Sequence, residues 1–311
     1  MTANTAMYLH ESQDDFRELV AATSDHCNRA ISFVIKDYFA IMMLRELITE
    51  NNALVFKGGT CLSKCYGIID RFSEDVDMGI EEAHATEGMR KRIKVAVQTS
   101  AAKLGLSIHN LGTTKSRRMY NRYVMTLPSL ISSHSSDQLI VETAVMTPAA
   151  PTKKRRVQSF IGEYCATSGF NGVIEEYRLK AFAIKANSME RTLCDKVFAL
   201  CDCYASSKNL LRQSRHIYDL RKITDAISIN KDLLDLMVTV REQRSSVFGC
   251  LSAHPGVCIP KMLREIVDTG VYKTDYAERT VPLLYEKLSY EQAASSLLEI
   301  AEKLEQDKRF A

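Results

Sequence analysis

Residues 54–80, LVFKGGTCLSKCYGIIDRFSEDVDMGI, constrain the fold of this chain more than any other stretch. Leu54, Val55 and Phe56 form a short apolar run ending in Lys57, Gly58 and Gly59, which reads as a buried strand entering a tight turn. Two successive glycines let the backbone approach a ligand with no Cβ in the way. Thr60 is a good N-cap, so the pattern predicts a helix over 61–69, and the free N–H groups at such a helix start favour an anion such as phosphate. Asp75-Val-Asp-Met-Gly-Ile then alternates polar and apolar, as a half-buried strand does. Side chains alternate with period two, which places Asp75 and Asp77 on one face. Neighbouring carboxylates repel unless a cation lies between them, and magnesium, hard and oxygen-liganded, suits such a pair beside substrate phosphates. A phosphate cradle next to a two-aspartate metal site points to phosphoryl or nucleotidyl transfer. The plainer alternative is a glycine turn followed by a solvated acidic strand end.

The remaining composition narrows the class. The 311 residues are 46% hydrophobic and 25% charged, which is ordinary for a soluble globular protein with one large domain or two medium ones. A formal net charge of +3 is too small to imply nucleic-acid binding by itself, so local clustering matters more. No apolar stretch is long enough to cross a bilayer, and the N-terminal MTANTAMYLHESQDDF lacks a signal-peptide core. Nine cysteines is an odd number, and spacings such as Cys61/Cys65 and Cys201/Cys203 fit no zinc motif. Reduced, mostly buried thiols in a cytosolic protein are expected.

Along the chain, Ser12-Gln-Asp-Asp15 reads as the cap of a helix reaching about residue 22, and a helical stripe covers 26–48. A helix is predicted over 89–104, and strands over 107–111, 122–127 and 139–145. Residues 148–156 read as a loop carrying the basic run Lys153-Lys-Arg-Arg156, and 175–184 is ambiguous. From residue 188 onward the chain reads as helical, over 188–205, 208–226, 231–248, 260–267 and 289–307. The shift near residue 186 predicts a mixed α/β domain over 1–186, preceded by helices, and a helical domain over 187–311.

On these residues the chain resembles the AbiEii/AbiGii-type nucleotidyltransferase toxins, a branch of the polymerase-β-like nucleotidyltransferase superfamily. The matching positions are Lys57-Gly-Gly-Thr60, then Leu62, Ser63, Lys64, Tyr66 and Gly67, then Arg71-Phe-Ser-Glu-Asp-Val-Asp77. Ile35-Lys-Asp-Tyr38 is similar to the family's helix before the first strand. Asp195-Lys-Val-Phe-Ala-Leu200 and Arg215-His-Ile-Tyr-Asp-Leu220 are similar to a downstream motif. Many relatives carry Arg-Asp where this chain has Arg215-His216.

The resemblance implies a polymerase-β-like α/β core with a helical C-terminal domain. It also implies attack by an acceptor hydroxyl on the α-phosphate of an NTP, with pyrophosphate leaving. Such chemistry needs a third carboxylate on a neighbouring strand. Glu142, at the end of the apolar run 139–141, is favoured over Asp137, which precedes the run and reads as a turn residue. Asp75, Asp77 and Glu142 would then hold Mg2+, while Lys57, Gly58, Gly59, Thr60, Lys64 and Lys196 would bind the triphosphate. Lys196 lies beside the apolar stripe of Leu193, Val197 and Leu200, where composition alone suggests a surface lysine. Asp219 matches an acidic residue that the family uses with that lysine, or it partners Arg215 one helical turn away. Arg71 is a further phosphate candidate, Glu74 falls on the opposite face from Asp75, and His216 reads as a packed or solvated helix residue. Lys115-Ser-Arg-Arg118 with Arg122, and Lys153 to Arg156, could follow an RNA backbone, with Tyr120 and Tyr123 stacking a base; a solvated loop face is the default. The family further implies a toxin of a bacterial toxin–antitoxin or phage-defence system acting in the cytoplasm, with a cognate antitoxin and an RNA acceptor such as the tRNA 3′ end. A small-molecule or protein acceptor, or a catalytically silent binding module of the same fold, remain as alternatives.

Overall fold

The computed structural model describes residues 7–73, 75–81, 86–128, 138–206 and 210–310. The chain falls into two compact units, one made of Met1–Cys65 with Ser73–Ala186, the other of Tyr66–Phe72 with Asn187–Ala311.

The first unit is built on a mixed seven-stranded sheet with the order β3-β4-β5-β2-β1-β7-β6. Its strands are β1 (Leu54–Lys57), β2 (Val76–Ile80), β3 (Ser107–Ile108), β4 (Tyr120–Thr126), β5 (Gln138–Ala144), β6 (Thr152–Val157) and β7 (Phe182–Asn187). β1 runs antiparallel to β2 and parallel to β7, β2 runs parallel to β5, and β5 runs antiparallel to β4. The helices are α1 (Gln13–Cys27), α2 (Ile31–Glu50), α3 (Gly58–Cys61), α4 (Glu87–Lys103), α5 (Phe160–Thr167) and α6 (Asn171–Glu176). α2 is apolar nearly all round and buries eleven residues from Val34 to Leu47, which makes it a core helix. Each fully buried Leu, Ile or Phe there contributes about 1.5–3 kcal/mol.

The second unit is helical: α7 (Met189–Ser206), α8 (Arg215–Ala226), α9 (Lys231–Ser245), α10 (Ile259–Thr269), α11 (Lys273–Asp275) and α12 (Tyr290–Glu305). α12 packs on α8 and α10, and α7 packs on α8 and α9. α12 starts at a capping box in which Ser289 Oγ accepts from Gln292 N–H and the Gln292 side chain accepts from Ser289 N–H.

Several boundaries differ from the sequence expectation. The two N-terminal helices part at Asn28, which adopts a left-handed conformation (φ 51°), so His26 belongs to α1 rather than to the helix that follows. Asparagine tolerates that region better than other side chains with a Cβ. The basic run at 153–156 is not a loop but strand β6, at the edge of the sheet. Four consecutive cations hide any polar–apolar alternation, and an edge strand is where Lys and Arg are best tolerated. The ambiguous stretch 175–184 is the end of α6, a connection and the start of β7. The predicted helix over 208–226 begins only at Arg215. No helix among the described residues is long and apolar enough to cross a membrane. None of the nine cysteines, all among the described residues, forms a disulfide, and five of them are buried.

Candidate active site

The turn after β1 differs from the expected one. Helix α3 begins at Gly58, with Lys57 in the capping position, and passes directly into a π-helical turn, Leu62–Tyr66. Thr60 is therefore inside the first turn and not its cap. Its hydroxyl is buried, donates to the Asp75 carbonyl at 2.6 Å and sits 3.0 Å from Ser73 Oγ. The residue ties the turn to the entry of β2, where Asp75 stands. Single π-turns of this kind occur frequently at functional sites.

Gly58 has φ +78°, and a Cβ built on it would overlap the Asp77 carboxylate. The close approach that two glycines suggested for a ligand is, at Gly58, made by Asp77. Any L side chain here is excluded twice over, by backbone conformation and by volume.

Asp77 stands directly opposite Lys57 on one side and Glu142 on the other, and Glu142 stands opposite Arg122. Burial along the strands shows which side of the sheet this row occupies. On β4, Asn121, Tyr123 and Met125 are buried while Tyr120 and Arg122 are exposed; on β5, Leu139, Val141 and Thr143 are buried while Glu142 is partly open. Glu142 thus shares the open side with Asp77. Arg122 Nε approaches Glu142 Oε1 at 3.6 Å. Burial, and next to it the nearby Glu142 carboxylate, raises the Tyr120 phenol above its ordinary pKa. Asp137 and Glu74 lie outside the described residues.

Two of the lysine and arginine candidates are engaged by carboxylates in buried ion pairs. Lys64 Nζ lies 2.6 Å from Asp37 Oδ1 on α2, with side chains only 6% and 8% exposed, and 3.4 Å from the centre of the Phe160 ring. Asp37 Oδ2 also accepts from the Phe160 N–H at 2.7 Å, at the start of α5. Burial pushes the Asp37 carboxyl up, with Lys64 pulling it back down. The sequence signal for Asp37 is an acid in the middle of an apolar helix, with apolar residues on most of its sides.

In the second unit, Arg71 is buried and grips Asp219 with both prongs of its guanidinium, Nε to Oδ1 at 2.7 Å and Nη2 to Oδ2 at 2.8 Å. Lys196, expected on the surface by composition, is also buried and donates to Asp219 Oδ2 at 2.5 Å. The structure therefore brings Lys196 and Asp219 together. Burial alone would raise the Asp219 carboxyl, but Arg71 and Lys196 outweigh it and hold the group below the ordinary range. His216 Nδ1 is 3.5 Å from Lys196 Nζ, and burial, reinforced by Lys196 and Arg215, keeps the imidazole neutral well below its usual pKa.

Of the basic clusters, Lys115, Arg117 and Arg118 are exposed in the segment leading to β4. Tyr120 is 41% exposed, whereas Tyr123 is fully buried and cannot stack a base; alternation on β4 turns it to the core.

The donors near Gly58 are hard carboxylate oxygens, the chemistry magnesium selects. Among the described residues, no three His, Cys, Asp or Glu side chains converge as a ready ligand group. Magnesium commonly binds through one or two carboxylates and completes its shell with water and substrate phosphates, and the adjacent Asp77 and Glu142 are donors of that chemistry.

A mixed sheet carrying a Gly-Gly turn against a carboxylate strand, followed by a helical unit, is the nucleotidyltransferase fold. It is similar to that of MenT4, a nucleotidyltransferase toxin from Mycobacterium tuberculosis, with a TM-score of 0.50 at 16% identity, over 94% of this chain and 88% of that one. The chain belongs to the family described as the nucleotidyl transferase AbiEii toxin of type IV toxin–antitoxin systems, whose family model matches residues 42–304. No curated protein sequence matches it.

Proposed function

We propose that this nucleotidyltransferase toxin moves an NMP from an NTP to an RNA acceptor, such as the 3′ end of tRNA, in a magnesium-dependent reaction in the cytoplasm. The observation that carries this reading is the register of Asp77 with Glu142, beside a glycine whose missing side chain makes room for the Asp77 carboxylate. Asp75, Asp77 and Glu142 would hold Mg2+. When bound, that ion would offset charge developing on the phosphates and make the acceptor hydroxyl more acidic. Glu142 accepts the proton of that hydroxyl, an O–P bond forms at the α-phosphate, and the bond to the β-phosphate breaks to release pyrophosphate. Lys57 and the backbone of Gly58 and Gly59 would steer the triphosphate. The exposed Lys115, Arg117, Arg118 and Arg122 draw in an RNA backbone, which favours RNA over a small-molecule acceptor. Blocking the tRNA 3′ end would stop aminoacylation, which suits a toxin held in check by a cognate antitoxin, including in defence against phage.

The test is incubation of the purified chain with total tRNA, Mg2+ and each labelled NTP, beside the Asp75→Ala, Asp77→Ala double variant. Label on tRNA with the wild type alone supports the proposal and names the nucleotide. Pyrophosphate release without labelled tRNA moves the acceptor to a small molecule or a protein, and no release at all leaves a silent module of the same fold.

A further inference from the structure

Four charged side chains stand in one row across four neighbouring strands: Lys57 on β1, Asp77 on β2, Glu142 on β5 and Arg122 on β4. Residues directly opposite one another project from the same side of a sheet, where like charges destabilise the pairing. The two inner members are carboxylates and the two outer members are cations, so the row is formally neutral as it stands. On the β4 side the cover is specific. Arg122 Nε is 3.6 Å from Glu142 Oε1, and Tyr120 stands two residues earlier on the same strand face.

The Arg122 pair differs in kind from the Lys64–Asp37 pair of the same unit. Lys64 is enclosed with its partner at 2.6 Å and only 6% and 8% of the two side chains exposed, so separating them would strand a charge. Arg122 and Glu142 are 44% and 28% exposed, and 3.6 Å is too long for a strong hydrogen bond. Solvent screens such a pair to little net strength. The guanidinium is a cation held loosely at the rim of the sheet.

We propose that Arg122 is a resting counter-ion for Glu142, neutralising that carboxylate until a divalent cation takes its place. This rests on the reading of Asp75, Asp77 and Glu142 as the metal-holding carboxylates. Arg122 lets two carboxylates stay in register before metal arrives and makes metal entry an exchange of one cation for another. The exchange weakens metal binding in the absence of substrate. It also leaves a displaced guanidinium at the rim of the site, where phosphate oxygens are the natural new partners.

Mn2+ titration of the full chain without nucleotide, followed by electron paramagnetic resonance of the free ion, tests this directly. Arg122→Gln binds Mn2+ about fivefold more tightly than the wild type, because Glu142 no longer has to leave an ion pair of the modest strength of exposed ones before it meets the metal. Glu142→Gln binds more weakly than the wild type. The double variant matches Glu142→Gln, because Arg122 acts through Glu142. Thermal unfolding of each variant establishes that it is folded. An Arg122→Gln affinity within about twofold of the wild type, or a gain that persists in the double variant, overturns the proposal. A Glu142→Gln variant that binds Mn2+ as the wild type does instead overturns the underlying assignment of Glu142.

Discussion

Arg71 and Asp219 lie 148 positions apart in the chain and meet in a two-pronged buried ion pair, which Lys196 joins from α7. One carboxylate thereby holds two cations, and all three groups are removed from water. Such a cluster is stable only while complete, because each member offsets the desolvation of the others.

Asp219→Asn therefore leaves Arg71 and Lys196 uncompensated and lowers stability by about 3–5 kcal/mol, read from the urea midpoint. The pH dependence has a definite sign. The folded carboxyl is held below its unfolded value of 3.8, so its stabilisation is complete above that value and disappears as pH falls toward the folded one. Acid unfolding of the wild type steepens below pH 3.8, and the Asn variant lacks that component.

His216 acts at higher pH. Its folded pKa lies well below 6.5, so the unfolded chain binds a proton that the folded chain does not. Stability contributed by the neutral ring is present above 6.5 and declines as pH drops below it. His216→Asn flattens that decline in a series of unfolding curves taken from neutral pH downward.

Lys64→Met separates a structural role from a phosphate-binding one. Removing the ammonium strands Asp37 and unties the start of α5, with an expected loss of about 3 kcal/mol. The KM for NTP of the protein that remains folded stays unchanged, since Lys64 is turned to Asp37. Steady-state kinetics at low temperature checks this.

Gly58→Ala sets a methyl group against the Asp77 carboxylate at a backbone position with φ +78°. Displacing a reacting group by about an ångström costs on the order of 100-fold in rate, so nucleotidyl transfer falls at least that far. The urea midpoint falls as well, by the equivalent of at least about 1–2 kcal/mol for a left-handed alanine, since the Asp77 side chain must also move aside.

Neutralising Lys115, Arg117 and Arg118 together reduces the salt dependence of RNA binding. If all three contact single-stranded phosphates, the slope of log K against log salt becomes shallower by about 2. Fluorescence anisotropy with labelled tRNA across a salt series measures it, and an unchanged slope places the acceptor surface elsewhere.

Local periodicity carried a large part of this protein. The run 54–56 followed by two glycines, the alternation through Asp75 and Asp77, and the apolar stripe of Leu193, Val197 and Leu200 each determine an element, because strand and helix repeats are properties of neighbouring residues. The placing of Asp77 on the strand that runs antiparallel to Leu54–Lys57 was legible for the same reason. Which groups meet across the fold was not. Arg71 and Lys64 read as equivalent phosphate cations, but each is sequestered by an acid distant in sequence, Asp219 and Asp37. Thr60 read as a helix cap, but its hydroxyl belongs to the Asp75 carbonyl. Tyr120 and Tyr123 read as a pair, but strand alternation sends one to solvent and the other to the core. Strand register, ion pairing and burial depend on where separate segments come to rest. Only the folded chain could place Glu142 beside Asp77 and set Arg122 against it.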